Sequence, residues 1–239
     1  MTPSADPAFD DKVRDICTLY TEAPERAARG ERIMSTDELT GVQALEPTQP
    51  DLPTAPRLVR RREYEYVRHG TQSFMLNRDV ASGQVVAPSA GPTRTEEDFA
   101  AHIARTVDTD PGAPAWHFVV DNLNTHQSET LVRVVAERCG IDADLGVKGK
   151  RGILQSMRSR AAFLADPTHR IVLHFTPVHA SWMNQIEIWL SILARKLLTW
   201  GVFTSTDDLV RQVFAFIAYY NRTMAKPFKW TYQGTPLVA

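Results

Sequence analysis

The sequence predicts an α/β fold, a mixed sheet with helices on both faces. Three observations predict it. The early apolar segments are short, alternate with polar residues and are separated by turn formers, as in antiparallel strands. Two later runs, Trp116-His117-Phe118-Val119-Val120 and Ile171-Val172-Leu173-His174-Phe175, are short and almost continuously apolar, the pattern of strands buried on both sides. Helical periodicity follows each of them, giving strand–helix–strand–helix after the antiparallel part.

Taken in order, Phe9, Val13, Ile16, Cys17 and Tyr20 are spaced for a helix over about 7–20, and residues 1–30 read as a lead-in. Residues 31–37 read as a strand. Four prolines (Pro47, Pro50, Pro53 and Pro56) make 46–62 a loop. Tyr64–Arg68 and Ser73–Asn77 flank Gly70-Thr71, which predicts a hairpin there, and Val85-Val86 extends it by a third strand. Thr95 caps a helix whose first turn is acidic (Glu96, Glu97, Asp98) and whose stripe is Phe99, Ile103 and Val107. Ser128 caps the next, carrying Leu131, Val132 and Val135. Residues 140–170 open glycine-rich and basic and then turn helical; the P-loop spacing fails, so a basic flap is the better reading than a nucleotide site. Two helices close the chain, over about 181–198, capped by Ser181, and 206–221. The main domain would span 31–225, with residues 140–170 as an insertion, and a tail 226–239.

Composition narrows the class. Hydrophobic residues make up 43% of the 239 residues, enough for one large domain with a real core. Formal net charge is −1, so any polyanion partner must be met by local patches. Such patches exist at Arg57, Arg60, Arg61, Arg62 and Arg68, and at Lys148, Lys150, Arg151, Arg158 and Arg160. Two cysteines without ligand spacing argue against structural zinc. No stretch has the length of a membrane helix and no signal peptide is visible, so a cytoplasmic protein is expected.

The chemistry lies in three acids. Asp121 leaves the carboxyl end of a buried strand, where ligand sites of open α/β sheets gather, and Asn122, Asn124 and His126 follow it. An Asx-turn is the plain alternative. Asp37 also ends a predicted strand; as an isolated acid it would be a turn residue. Glu187 stands near the start of a helix, on a polar ridge with Asn184, Ser191 and Arg195, where the helix dipole keeps it ionised; a solvated face is the plain alternative. Acids on separate rigid elements are what two divalent metals need for phosphodiester chemistry. No nucleophile elbow or zinc-protease motif is present.

The segments Asp121-Asn122-Leu123-Asn124-Thr125-His126 and Thr176-Pro177-Val178-His179-Ala180-Ser181-Trp182-Met183-Asn184-Gln185-Ile186-Glu187-Ile188-Trp189 strongly resemble bacterial insertion-sequence transposases. The group is insertion-sequence family 630, in the mariner-like superfamily of DDE endonucleases. Ser35-Thr36-Asp37-Glu38, Gly41-Val42-Gln43-Ala44-Leu45 and Ala225-Lys226-Pro227-Phe228-Lys229-Trp230-Thr231-Tyr232 match as well. The resemblance implies a ribonuclease H-like fold with a mixed five-stranded sheet. It makes Asp37, Asp121 and Glu187 the catalytic and metal-binding triad, with two Mg2+ ions for which Mn2+ can substitute. Asn122, Asn124, His126, Ser181 and Asn184 would support them. Arg60, Arg61, Arg62, Lys148, Lys150, Arg151, Lys226 and Lys229 would meet DNA backbone. The implied activity is Mg-dependent phosphodiester hydrolysis and strand transfer at transposon ends, by a homodimer on DNA. Two features depart from the pattern. The interval from 121 to 187 is long, the excess falling in the 140–170 segment, and the helix-turn-helix region that precedes the catalytic part of full-length relatives has no counterpart here. A non-transposing ribonuclease H-like nuclease, and an inactive remnant or DNA-binding regulator, stay open beside the transposase.

Overall fold

The computed structural model describes residues 6–50 and 63–232. Arg57, Arg60, Arg61 and Arg62 lie outside the described residues. The strands are β1 (Arg32–Pro47), β2 (Tyr66–Asp79), β3 (Val85–Gly91), β4 (Trp116–Val120) and β5 (Ile171–Phe175). They form one five-stranded sheet ordered β3-β2-β1-β4-β5. β1–β2 and β2–β3 pair antiparallel, β1–β4 and β4–β5 parallel, so the mixed sheet expected from the sequence is present. The helices are α1 (Phe9–Thr21), α2 (Ala23–Ala28), α3 (Glu96–Val107), α4 (Glu129–Cys139), α5 (Met157–Leu164), α6 (Ile186–Leu193) and α7 (Thr206–Thr223).

Strand alternation sorts the core. Met34, Phe118, Val120 and Leu173 face α3, α4 and α5, with Phe99, Ile103, Leu131 and Leu164 packed against them. Ile33 and Val119 face the other way and meet Val13, Ile16 and Tyr20 of α1. Phe74 and Leu76 meet Trp189 of α6 and Leu209, Val213 and Ile217 of α7. Both faces are therefore covered. Each fully buried large side chain contributes roughly 1.5–3 kcal/mol, so packing on both faces is a main source of the sheet's stability. The caps form as read: Thr95 makes a reciprocal capping box with Asp98, and the Ser128 hydroxyl accepts from the Leu131 amide. No helix among the described residues is long and apolar enough to cross a membrane.

Three local expectations are corrected. β1 does not stop near residue 37 but runs to Pro47. The hairpin at Gly70-Thr71 does not exist, because β2 passes straight through it. β1 lies alongside, pairing Gln43 with Thr71 and Leu45 with Arg68, and two register irregularities absorb the bend. Gly70, at φ +112°, serves that bend rather than a reversal. The single helix over 181–198 is three pieces: a 3-10 turn at Ser181–Met183, α6, and a π-turn at Ala194–Leu198. Ser181 caps nothing with its side chain. The break follows from Asn184, whose side chain is turned to β1 and away from its own helix.

Candidate active site

The parallel ladder between β1 and β4 places the first two acids. Ile33 pairs with His117, Met34 with Phe118 and Ser35 with Val119. Two residues further along each chain stand Asp37, still within β1, and Asp121, the first residue past the end of β4, so both acids lie just beyond the last paired rung. The two carboxylates are close enough for the Asp121 charge to raise the pKa of Asp37. Glu187, in the first turn of α6, also feels Asp121.

The turn before α6 is sewn to β1. The Ser35 hydroxyl donates to the Asn184 side-chain oxygen and accepts the Ile186 amide at 2.7 Å. The Asn184 side-chain amide donates to the Thr36 carbonyl at 2.9 Å and to Asp37 Oδ2 at 3.3 Å. The Glu187 amide donates to the Asn184 carbonyl at 3.1 Å. Asn184 is fully buried. Beneath it, the Tyr20 hydroxyl donates to the Met183 carbonyl at 2.9 Å, and buried Arg78 donates to Gln185 at 2.6 Å. The preceding turn holds His179 at φ +64°, a strained position for a β-carbon-bearing residue and typical of functional turns.

His126 is the cation of the site. Its ring has no exposure; Nδ1 lies 2.7 Å from Asp121 Oδ1 and Nε2 lies 3.2 Å from Glu38 Oε1. The second contact is an ion pair without hydrogen-bond alignment. Burial opposes the charge on His126, but the two carboxylates prevail and raise its pKa to about 9. Burial pushes Asp121 up, and the His126 contact outweighs it, so Asp121 is held below its ordinary value; Arg94 adds to this. Burial is also the main cause that raises Asp37 to about 7, with the charges of Asp121 and Glu38 adding to it. Glu187 is raised, chiefly by burial and then by Asp121.

The donor set is all carboxylate oxygen, the kind a hard divalent cation takes. Asp121 is the member both others sense, its charge adding to the upward shift of Asp37 and of Glu187. Among the described residues no three His, Cys, Asp or Glu side chains close on a single point as one ion's shell. Asp37 adds a second mark of fit: an acid holding its proton to about 7 among other acids is a place where a cation would replace the proton.

The supporting residues divide. Asn122 donates to the Thr176 carbonyl and ties the end of β5 to the loop after β4. Asn124 and Ser181 are exposed and make no side-chain hydrogen bond to the acids among the described residues. Lys148 pairs with Glu96 at 3.6 Å and Arg151 with Asp144 at 2.5 Å, while Lys150, Arg158, Lys226 and Lys229 are exposed. Arg160, grouped with the basic patch from the sequence, serves the fold, donating to the carbonyls of Gln127 and Leu154. Two residues were missed. Glu38 follows Asp37 and so points through the sheet to His126, a meeting no local pattern announces. Arg94 reaches Asp121 electrostatically from the loop before α3, and only its position just ahead of the Thr95 cap hinted at a place near a strand edge.

A family model described as DDE superfamily endonuclease matches residues 32–210. Among curated proteins, none matches the chain. Solved structures share its fold. The catalytic domain of Mos1 mariner transposase superposes with a TM-score of 0.52 at 9% identity, over 91% of this chain and 85% of that one. The Mos1 mariner paired end complex with Mn gives 0.55 at 11% identity over 90% of this chain, which spans 56% of the length of that chain. The same catalytic domain with Raltegravir and Mg gives 0.50 at 9% identity. The fold is thus the ribonuclease H-like fold of that catalytic domain, a mixed five-stranded sheet with helices.

Proposed function

The chain belongs to the DDE superfamily endonucleases, and from that premise we propose that it is a transposase catalytic domain, cutting DNA phosphodiesters at insertion-sequence ends and joining them to target DNA by strand transfer. One observation carries the reading: Asp37 on β1 senses the charge of Asp121, just past the end of the neighbouring parallel strand β4, and Glu187, after the turn that Asn184 fastens to β1, senses Asp121 too.

Asp37, Asp121 and Glu187 would hold two Mg2+ ions, with Mn2+ as a substitute. Bound there, the ions would activate water or a DNA 3′-hydroxyl and stabilise the leaving oxygen of an in-line displacement. The protein's part is placement. β1 carries Asp37, and Asp121 follows directly on the last residue of β4. His126 keeps Asp121 ionised and aimed, and Asn184 orients Asp37 through its amide. Arg94, Lys150 and Arg158 supply positive charge for phosphate contacts that position DNA without reading sequence. The Mn- and Mg-containing Mos1 structures, and the paired-end complexes among them, support divalent metals and DNA ends as partners, and a homodimer on DNA is part of the proposal.

The test is Asp121→Asn on plasmid DNA carrying the element's terminal repeats, with Mg2+. We expect nicking to fall about a thousandfold or more, the loss of several kcal/mol of transition-state stabilisation, measured at a temperature where circular dichroism shows the variant folded. Nicking equal to wild type overturns the assignment. Cleaved ends that never appear joined to a second DNA would make it a non-transposing nuclease.

A further inference from the structure

The segment after α7 folds back across the molecule as a strap. Buried Arg78 donates to the Lys226 carbonyl at 3.0 Å with one guanidinium nitrogen and to Gln185, in the turn before α6, with another. Gly83 passes so close that a β-carbon there would sit 2.0 Å from the same carbonyl. The Trp230 indole donates to Cys17 Sγ at 3.3 Å and packs edge-on against Tyr20 at 4.9 Å. The strap is therefore anchored to β2, to α1 and, through Arg78, to the turn that places Glu187.

Its aromatic side chains form a chain of rings. Trp182 meets Tyr232 at 5.2 Å, Tyr232 meets Trp230 at 6.5 Å, and Trp230 meets Phe228 at 6.4 Å, all edge to face. The two ends are open: Trp182 is 54% exposed and Phe228 45%. Trp182 lies two residues from Asn184, whose amide touches Asp37, so the near end begins within about 7 Å of backbone from that contact. Lys226 and Lys229, both exposed, flank Phe228. Exposed aromatic rings interleaved with cations are suited to a chain that offers flat bases and phosphates together. A duplex hides its base faces, and an apolar partner would not want the lysines.

We propose that Trp182 and this strap form a stacking track for unpaired DNA, receiving the strand freed beside the carboxylates. The inference rests on the DNA-processing reading and extends it by assigning a separate single-strand subsite. Trp182 stacks the base nearest the acids, Phe228 a base further out, and Lys226 and Lys229 follow the backbone. Because the strap is fixed in place, little ordering is required on binding.

The experiment measures binding of a labelled oligo-dT and of a duplex of equal length, in EDTA so that nothing is cut. Trp182→Ala should weaken oligo-dT binding about 5- to 150-fold, the value of one base–aromatic stack, and leave duplex binding unchanged. Trp182→Phe should restore it. Lys226→Ala and Lys229→Ala should each lower the salt dependence of oligo-dT binding by about 0.7 in log–log slope. Oligo-dT affinity of Trp182→Ala equal to wild type, with circular dichroism unchanged, overturns the track. An equal loss for duplex and oligo-dT also overturns it, as does a shift of the free protein's sedimentation with oligo-dT affinity intact, which would make the patch a subunit contact. Failure here with Asp121-dependent nicking intact sinks only the track; nicking indifferent to Asp121 sinks the catalytic reading instead.

Discussion

His126 Nδ1 lies 2.7 Å from the Asp121 carboxylate, and the opposite nitrogen of the same ring faces Glu38, whose side chain is 3% exposed. One buried imidazolium thus joins an acid of β1 to the acid that follows β4. His126→Ala leaves Glu38 without its cation, and we expect a loss of about 3–5 kcal/mol in folding stability at neutral pH. Adding Glu38→Gln removes the uncompensated charge and should recover most of it. Urea denaturation of both variants, read as a double-mutant cycle, checks this; a double variant no more stable than His126→Ala contradicts it.

Asp37 and His126 set a pH dependence. Both bind a proton more tightly folded than unfolded: Asp37 is raised from 3.8 to about 7 and His126 from 6.5 to about 9. Their contribution to stability is complete below the unfolded values and is lost as pH climbs through the folded ones. Metal-free protein should therefore lose melting temperature steadily between about pH 5 and pH 9. Asp37→Asn should flatten the part below pH 7. Scanning calorimetry in EDTA decides it, and a melting temperature that rises over that interval would refute the assignment.

Metal binding should be coupled to the same proton. If an ion displaces the Asp37 proton, titration with Mg2+ near pH 6 releases more protons than titration near pH 8.5. Calorimetric titration in two buffers of different ionisation enthalpy measures the release; identical values at both pH would count against Asp37 as a ligand.

Asn184 bridges the sheet and α6. Asn184→Ala strands the Thr36 carbonyl and the Ser35 hydroxyl, both buried, at a cost of about 1–3 kcal/mol. Nicking should fall further than stability explains, because Asp37 loses its orienting amide. Single-turnover rates at a temperature where the variant is fully folded separate the two, and a wild-type rate would make Asn184 merely structural.

Much of this was legible in the sequence. The buried runs before Asp121 and after Arg170 announced parallel strands, and a strand that ends in an acid is readable from apolar residues alone. The Ser128 and Thr95 caps were readable because capping is local. What escaped was non-local. Nothing near Gly70 says that β1 continues alongside it, so a glycine serving a bend looked like a turn. Nothing near Ser181 says that Asn184 will bond to β1 and break the helix. Glu38 looked like a neighbour of Asp37, although strand alternation sends it to the opposite side, where its partner is supplied from residue 126.

The site draws on β1, on β4 and on the turn before α6, so its members are far apart along the chain. During synthesis Asp37 and Asp121 leave the ribosome long before Glu187, and Lys226, which locks the turn through Arg78, leaves later still. A chain made as far as residue 160 carries two of the acids and not the third. The acid set is complete only once residue 187 has been added, so the nascent polypeptide is unarmed until then.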